Sequence, residues 1–134
     1  MCMIEACDSY TTALDLGERK ARKDHRCNEC YRTINKGELY EYFYGIGEGG
    51  LFTNKTCSHC QVAVSWLNAE CDGYVFESVR EDILEHVREG IYGYDLARLY
   101  VGMRRRWQKK NGELMPIPAR PKGSITTSNN PTPH

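Results

Sequence analysis

Apolar residues recur at helical spacing in three stretches of the second half of the chain. Residues 57–71 carry an apolar residue every three or four positions, which places these residues on one face of a helix. Residues 78–89 and 95–110 have the same periodicity and predict two further helices. The expected buried faces are Cys60, Ala63, Val64, Leu67 and Cys71 in the first helix, Val79, Ile83, Leu84 and Val87 in the second, and Leu96, Leu99, Tyr100, Met103 and Trp107 in the third.

The second and third helices also carry signals for their first turns. Ser78 and Glu81 have the spacing of a capping box, in which each side chain accepts a hydrogen bond from a free backbone N–H. Asp95 is a good N-cap for the third helix. Both helices are therefore expected to be capped by their own side chains.

A β-hairpin is predicted before the first helix. Residues 38–44 are rich in aromatic side chains, as strands are, and residues 51–53 are the expected return strand. The segment between them holds four glycines, which favour a turn. Residues 1–23 show no sustained periodicity, so no element is assigned there.

Four cysteines form two C-x-x-C pairs that flank the predicted hairpin. Cys27 and Cys30 make the first pair, and Cys57 and Cys60 make the second after 26 intervening residues. Zn²⁺ accepts four thiolates tetrahedrally, and a hairpin returns the chain so that both pairs reach one ion. The spacing thus predicts one structural Zn²⁺, with unligated thiols or an iron–sulfur cluster as alternatives. His59 lies inside the second pair and is an alternative ligand in place of one cysteine.

Other residues near the pairs have less specific roles. Four thiolates on one divalent ion leave excess negative charge, which Arg26, Arg32 and Lys55 are expected to offset. His59, if it is not a ligand, should face solvent or bond a neighbour. Cys71 is interpreted as a small apolar residue that fills the core.

The order of knuckle, hairpin and helix resembles a treble-clef zinc finger over residues 27–71. This resemblance implies an α+β fold in which the finger is extended by two C-terminal helices over residues 72–112. We accordingly expect an N-terminal arm over 1–26, a zinc-binding domain over 27–112, and an extended segment followed by a disordered tail over 113–134. The tail from Pro121 onward is poor in apolar residues.

Longer runs of sequence resemble uncharacterised small zinc-binding proteins of tailed phages and prophages. The matching runs are residues 20–34, 56–60, 69–74, 104–107 and 112–116. No activity comes with this resemblance. It implies an accessory protein that acts in the cytoplasm of a bacterial host, where disulfides are disfavoured.

Catalysis is not expected from these residues. Treble clefs also underlie the HNH nucleases, but their chemistry needs a histidine at the end of the first hairpin strand and another on the helix. Residues 40–44 and 61–70 contain none. Four cysteine ligands would also fill the shell of zinc and leave no position for an activated water. A cluster of Glu81, Asp82, Glu85 and His86 could be catalytic or bind a second metal, but a solvated acidic helix face is favoured.

Charge is unevenly distributed, although the formal net charge is zero. Residues 57–97 hold 2 basic and 8 acidic side chains, whereas residues 98–134 hold 8 basic and 1 acidic. Such asymmetry is evidence about partners. The candidate partner-binding residues lie on the third helix and at its end: Arg98, Arg104, Arg105, Arg106, Lys109 and Lys110.

Two kinds of partner fit this pattern. A host or phage protein is the favoured partner, and binding to it could inhibit a host system. Nucleic acid is the alternative, since a basic stripe can contact phosphates. No small-molecule substrate is expected. A membrane is not expected as a partner either, because no apolar run approaches the roughly 20 residues that span a bilayer.

Overall fold

The computed structural model describes residues 2–6 and 11–121 and has a mixed α+β architecture. The predicted disordered tail, apart from Pro121, lies outside the described residues. A short 3-10 turn, Met3–Ala6, precedes the first strand. The other elements are β1 (Thr12–Lys20), β2 (His25–Arg26), β3 (Thr33–Ile34), β4 (Leu39–Gly47), β5 (Gly50–Cys57), α1 (Ser58–Cys71), α2 (Val79–Glu89) and α3 (Tyr94–Arg104).

The predicted hairpin is formed by β4 and β5 and is longer than the sequence indicated. The two strands pair antiparallel from Tyr40 opposite Cys57 to Gly47 opposite Gly50, so only two residues form the turn. Gly50 has a φ of 103°, which favours glycine at this position. A separate antiparallel pair, β2 with β3, brackets the first C-x-x-C pair. The register therefore brings Cys57 to the end of the sheet.

Strand β1 lies in residues 1–23, where the sequence shows no sustained periodicity and no element was assigned. It pairs antiparallel with β4 and gives a three-stranded sheet of order β1-β4-β5. Every residue of β1 except Gly17 is exposed. A strand that buries neither face has no alternation of apolar and polar residues, so its sequence carried no periodic signal.

The predicted buried faces are confirmed for the whole of α1 and for the first half of α2. All five residues assigned to the buried face of α1 are buried. In α2, Val79 and Ile83 are buried, while Leu84 and Val87 are only partly buried. These side chains and those of α3 form one continuous apolar core together with the four paired cysteines.

Helix α3 ends at Arg104, six residues before the predicted end. Arg106 and Trp107 have left-handed φ values of 56° and 58°, and the N–H of Trp107 donates to the carbonyl of Gly102 at 2.8 Å. The indole folds back against Gly102, where a Cβ would collide with the ring. The predicted helix over 95–110 is therefore too long, because the chain turns at Arg106 and Trp107 and carries Lys109 away from the helix.

The capping box predicted at the start of α2 does not form. Ser78 makes no side-chain capping hydrogen bond. The buried carboxylate of Glu29 replaces it: Oε2 accepts from the N–H of Glu77 at 2.8 Å, and Oε1 accepts from the N–H of Val79 at 3.2 Å. Burial raises the pKa of Glu29 to about 7, although the two N–H groups oppose that shift. A residue that lies between Cys27 and Cys30 in the sequence thus fixes the start of the second helix.

We predict that Glu29→Ala destabilises the protein by about 1–3 kcal/mol, because two N–H groups at the buried start of α2 lose their acceptor. Ser78→Ala should change the free energy of unfolding by less than about 0.5 kcal/mol, since its hydroxyl caps nothing. Urea denaturation of both variants measures the difference. If Ser78→Ala lost more unfolding free energy than Glu29→Ala, the Ser78 side chain and not Glu29 would be the cap of α2.

Candidate metal centre

The first cysteine pair lies in a tight knuckle between β2 and β3. The N–H of Cys27 donates to the carbonyl of Arg32 at 2.9 Å, and the N–H of Tyr31 donates back to the carbonyl of Cys27 at 3.0 Å. Tyr31 has a left-handed φ of 67°, which turns the chain sharply after Cys30. This local closure holds both sulfurs on the same side of the knuckle.

Asn28 docks the knuckle onto strand β5 just before the second pair. The backbone N–H of Asn28 donates to the carbonyl of Lys55 at 2.8 Å, and its side-chain oxygen accepts from the N–H of Lys55 at 2.7 Å. Two residues later Cys57 ends β5 and becomes the N-cap of α1, where its sulfur accepts from the N–H of Cys60 at 3.4 Å. Backbone bonding therefore brings the two pairs together.

The four sulfurs form one buried cluster of a size that suits a metal ion. Cys27, Cys30, Cys57 and Cys60 are at most 1% exposed, and their sulfurs all lie within 4.8 Å of one another. The Sγ atoms of Cys30 and Cys57 are 3.9 Å apart. Four ligands at about 2.3 Å in a tetrahedron have edges of about 3.8 Å. The cluster can thus hold a metal ion, as the spacing predicted.

Several N–H groups point at the sulfurs and favour the thiolate form. The backbone N–H groups of Glu29 and Cys57 both donate to Sγ of Cys27 at 3.4 Å. The indole Nε1–H of Trp107 donates to Sγ of Cys60 at 3.4 Å. Hydrogen bonds from the other three thiols, that of Cys30 first, lower the pKa of Cys27. These donors offset part of the negative charge that four ligating thiolates would carry.

Arg32 supplies the nearest full positive charge. Its guanidinium is buried and makes two hydrogen bonds with the carboxylate of Glu38, at 2.7 and 3.1 Å. Burial alone would lower the pKa of Arg32, but the bond to Glu38 and the charge of Cys57 outweigh burial and raise it. Of the three cations that the sequence offered, Arg32 is thus the one placed in the core beside the thiols.

The other two predicted cations have different partners. Nε of Arg26 donates to the carbonyl of Tyr31 at 3.2 Å. Nζ of Lys55 lies 3.1 Å from Nδ1 of His25. Both contacts are at the edge of the knuckle.

His59 is buried, so the expectation that it faces solvent is wrong, whereas the expectation of a bonded neighbour is met. Its Nε2 lies 2.6 Å from the carbonyl oxygen of Met115, and its Nδ1 lies 3.2 Å from Nη2 of Arg32. A carbonyl only accepts and a guanidinium only donates, so Nε2 carries the proton and Nδ1 accepts. Burial lowers the pKa of His59. Both ring nitrogens are engaged, which disfavours His59 as a replacement for a cysteine ligand.

Sequence reasoning missed three contributors to the centre and its surroundings. Trp107 was assigned to the core but not to a sulfur, and Glu38 was assigned only to a strand. Cys71 is not a free core residue, because it forms a disulfide with Cys2 across 69 positions of sequence. Trp107 and Cys60 are 47 positions apart and Cys2 and Cys71 are 69 apart, so no spacing rule connects them. Glu38 lies only six positions after Arg32, but the two are joined across the β3–β4 turn and not within one helix or strand.

The predicted partner-binding residues do not converge on the metal cluster. All six are exposed, and none has an ion pair within residues 2–6 and 11–121. Only Arg98 and Arg104 lie on α3, and the remaining four follow its end: Arg105, Arg106, Lys109 and Lys110. An isolated bridge between Gln108 and Leu114 closes the loop that carries the last of them.

Comparison with protein families, curated proteins and solved structures finds no match to this chain. The function therefore has to be argued from the residues themselves. Across the part of the chain that the structure describes, the helices are too short and too polar to cross a bilayer.

We predict that the protein needs a metal ion in the four-cysteine cluster to fold, so that a chelator unfolds it. The apparent binding free energy of a structural zinc is about 10–16 kcal/mol, which matches or exceeds the whole stability of a typical domain, about 5–15 kcal/mol. Cys30→Ser should likewise abolish metal binding in this cluster and the helical circular dichroism signal. Ser65→Ala, on the exposed side of α1, is the control and should preserve both. A cooperative unfolding transition that survives chelation would contradict this dependence.

Proposed function

We propose that this chain is a zinc-stabilised binding protein, built on a treble-clef finger with two added helices, and not an enzyme. The order of knuckle, β4–β5 hairpin and α1 supports the treble clef, because each pair of cysteines lies where that motif holds its ligands. Four buried thiolates favour Zn²⁺ over hard metal ions. They also fill the tetrahedral shell, so the ion has no position for substrate or activated water.

The observation that carries the binding role is an apolar groove beside α3. The groove has a volume of about 580 Å³ and lies between the helix and the segment that returns after Trp107. Its lining includes Val101, Trp107, Met115 and Pro118. At its end Tyr94 is 84% exposed. Exposed apolar surface of this kind marks a contact with another macromolecule.

Charge around the groove indicates the chemistry of the partner. Arg98 and Arg120 line it, and neither has an ion pair among the described residues. An amphipathic protein segment with acidic side chains would bury its apolar face in the groove and pair its carboxylates with the arginines. We therefore propose a protein partner that presents such a segment.

Nucleic acid is the second candidate, and the six exposed basic residues named above favour it. Among the described residues, no salt bridge joins these six side chains to a carboxylate of α2. Glu81 and Glu85 of that helix pair with Arg80 and Arg88 instead. Phosphate contacts would use this charge but would leave the apolar groove unexplained. The protein partner accounts for both features.

The resemblance to small phage and prophage proteins gives the proposed setting. The chain would act in the cytoplasm of a bacterial host and occupy a surface of a host or phage protein. A rigid scaffold held by one metal ion suits this role, because little ordering entropy is lost on binding.

We predict that Val101→Glu weakens capture of the partner from bacterial lysate by at least about tenfold. The variant places a carboxylate on the apolar wall of the groove, where it must be desolvated on binding and competes with the acidic side chains of the partner for Arg98. Leu16→Glu, an apolar position on β1 that is 61% exposed against 47% for Val101, is the control and should leave capture unchanged. Quantitative mass spectrometry of proteins retained with and without nuclease measures both.

A different result would favour nucleic acid. In that case, binding would disappear on nuclease treatment and fall steeply with salt. It would also be lost in the Arg104/Arg105/Arg106→Ala variant while Val101→Glu remained active. Equal capture by all variants would remove both surfaces from the proposal.

A further inference from the structure

A second group of metal-ligand side chains lies at the opposite end of α1 from the four-cysteine cluster. Cys71 is the last residue of α1, His86 lies on α2, and Cys2 comes from the N-terminal segment. Nε2 of His86 lies 3.7 Å from Sγ of Cys71 and 3.8 Å from Sγ of Cys2. The two cysteines are joined by a disulfide, so three ligand-type atoms from three separate segments meet here.

The tautomer of His86 is set by its own helix. Nδ1 lies 2.8 Å from the backbone carbonyl of Asp82, one turn earlier, and therefore carries the proton that it donates there. The carboxylate of Asp82 is also near, with Oδ1 at 3.3 Å from Nδ1. In the neutral imidazole the lone pair is then on Nε2, which is the nitrogen that faces both sulfurs. Metal-binding histidines are typically oriented in this way, through a carbonyl or carboxylate on the other nitrogen.

Packing also fixes the imidazole in place. His86 and Asp82 are 2% and 1% exposed, so the solvated acidic face expected from the sequence does not include them. The ring of Trp66 meets the imidazole edge-on at 5.1 Å, and that of Tyr92 does so at 5.6 Å. Cys2 is only half-buried, which gives small reagents access to the sulfurs.

We propose that Cys2, Cys71 and His86 form a second zinc site when the disulfide is reduced. A dithiol reductant passes two electrons and two protons to the disulfide and is itself oxidised to a disulfide, while the S–S bond breaks to give two thiols. A phosphine does the same with one water molecule and becomes its oxide. Zn²⁺ then displaces both protons and binds two thiolates and Nε2. Zinc–sulfur bonds of about 2.3 Å and zinc–nitrogen bonds of about 2.05 Å place sulfur and nitrogen about 3.6 Å apart in a tetrahedron, close to the observed separations.

This site differs chemically from the four-cysteine cluster. Three protein ligands leave a fourth coordination position for water or another donor. Oxidation of the two thiolates by a disulfide such as oxidised glutathione would re-form the Cys2–Cys71 bond, reduce that oxidant to two thiols and release Zn²⁺. Zinc occupancy of this site therefore depends on the redox state of Cys2 and Cys71. The four-cysteine cluster at the other end of α1 contains no disulfide.

The test measures zinc in the full-length protein after anaerobic reduction with a phosphine, equilibration with zinc and gel filtration. We expect two zinc ions per chain, and one after reoxidation with oxidised glutathione. Cys2→Ser and His86→Gln should each bind one. Cys2 is only half-buried, so Cys2→Ser is expected to fold. This variant therefore still tests the site if His86→Gln, at a buried position, fails to fold. Met3→Ser, also half-buried in the same segment, is the matched control and should bind two.

X-ray absorption at the zinc edge tests the ligands independently. Two occupied sites give an average of about three sulfur and one nitrogen or oxygen ligand per zinc, whereas the four-cysteine site alone gives about four sulfurs. One zinc ion with four sulfurs in the reduced protein would overturn this proposal and leave the first centre intact. Two zinc ions retained in Cys2→Ser would also overturn it, because the second ion would then lie elsewhere.

Discussion

The convergence of two distant thiol pairs on one point is the constraint on which the rest of this structure depends. The hairpin register that sets Tyr40 opposite Cys57 delivers the second pair, and the paired backbone of Asn28 and Lys55 delivers the first. A slip of one residue in β5 would turn Cys57 to the other face of the sheet and separate the pairs. Sheet register and metal geometry therefore specify each other.

The surroundings of the cluster extend this constraint to the C-terminal part of the chain. The indole N–H of Trp107 reaches Cys60, and the imidazole of His59 reaches the carbonyl of Met115. Both Trp107 and Met115 line the groove beside α3. The proposed binding surface thus rests directly on the four-cysteine cluster, so an ion held there would also fix the shape of the groove.

The first cysteine knuckle also fixes the position of the second helix. Glu29 lies between two cysteines of the cluster in sequence, yet its carboxylate caps α2 nearly fifty residues later. Helix α2 in turn presents His86 to Cys71 at the end of α1. One end of α1 therefore carries the four-cysteine centre and the other end carries the proposed redox-sensitive site, with the core between them.

The sequence by itself determined the features that depend on local spacing. The two C-x-x-C pairs, the hairpin between them and the buried face of α1 all follow from residues a few positions apart, where side-chain direction is set by strand or helix geometry. Tertiary structure alone decided the features made by distant contacts. Trp107 ended α3 early because its indole packs on Gly102, and β1 formed by backbone pairing without burying side chains. The meeting of Cys2 with Cys71 likewise spans 69 positions, and no local pattern encodes such a contact.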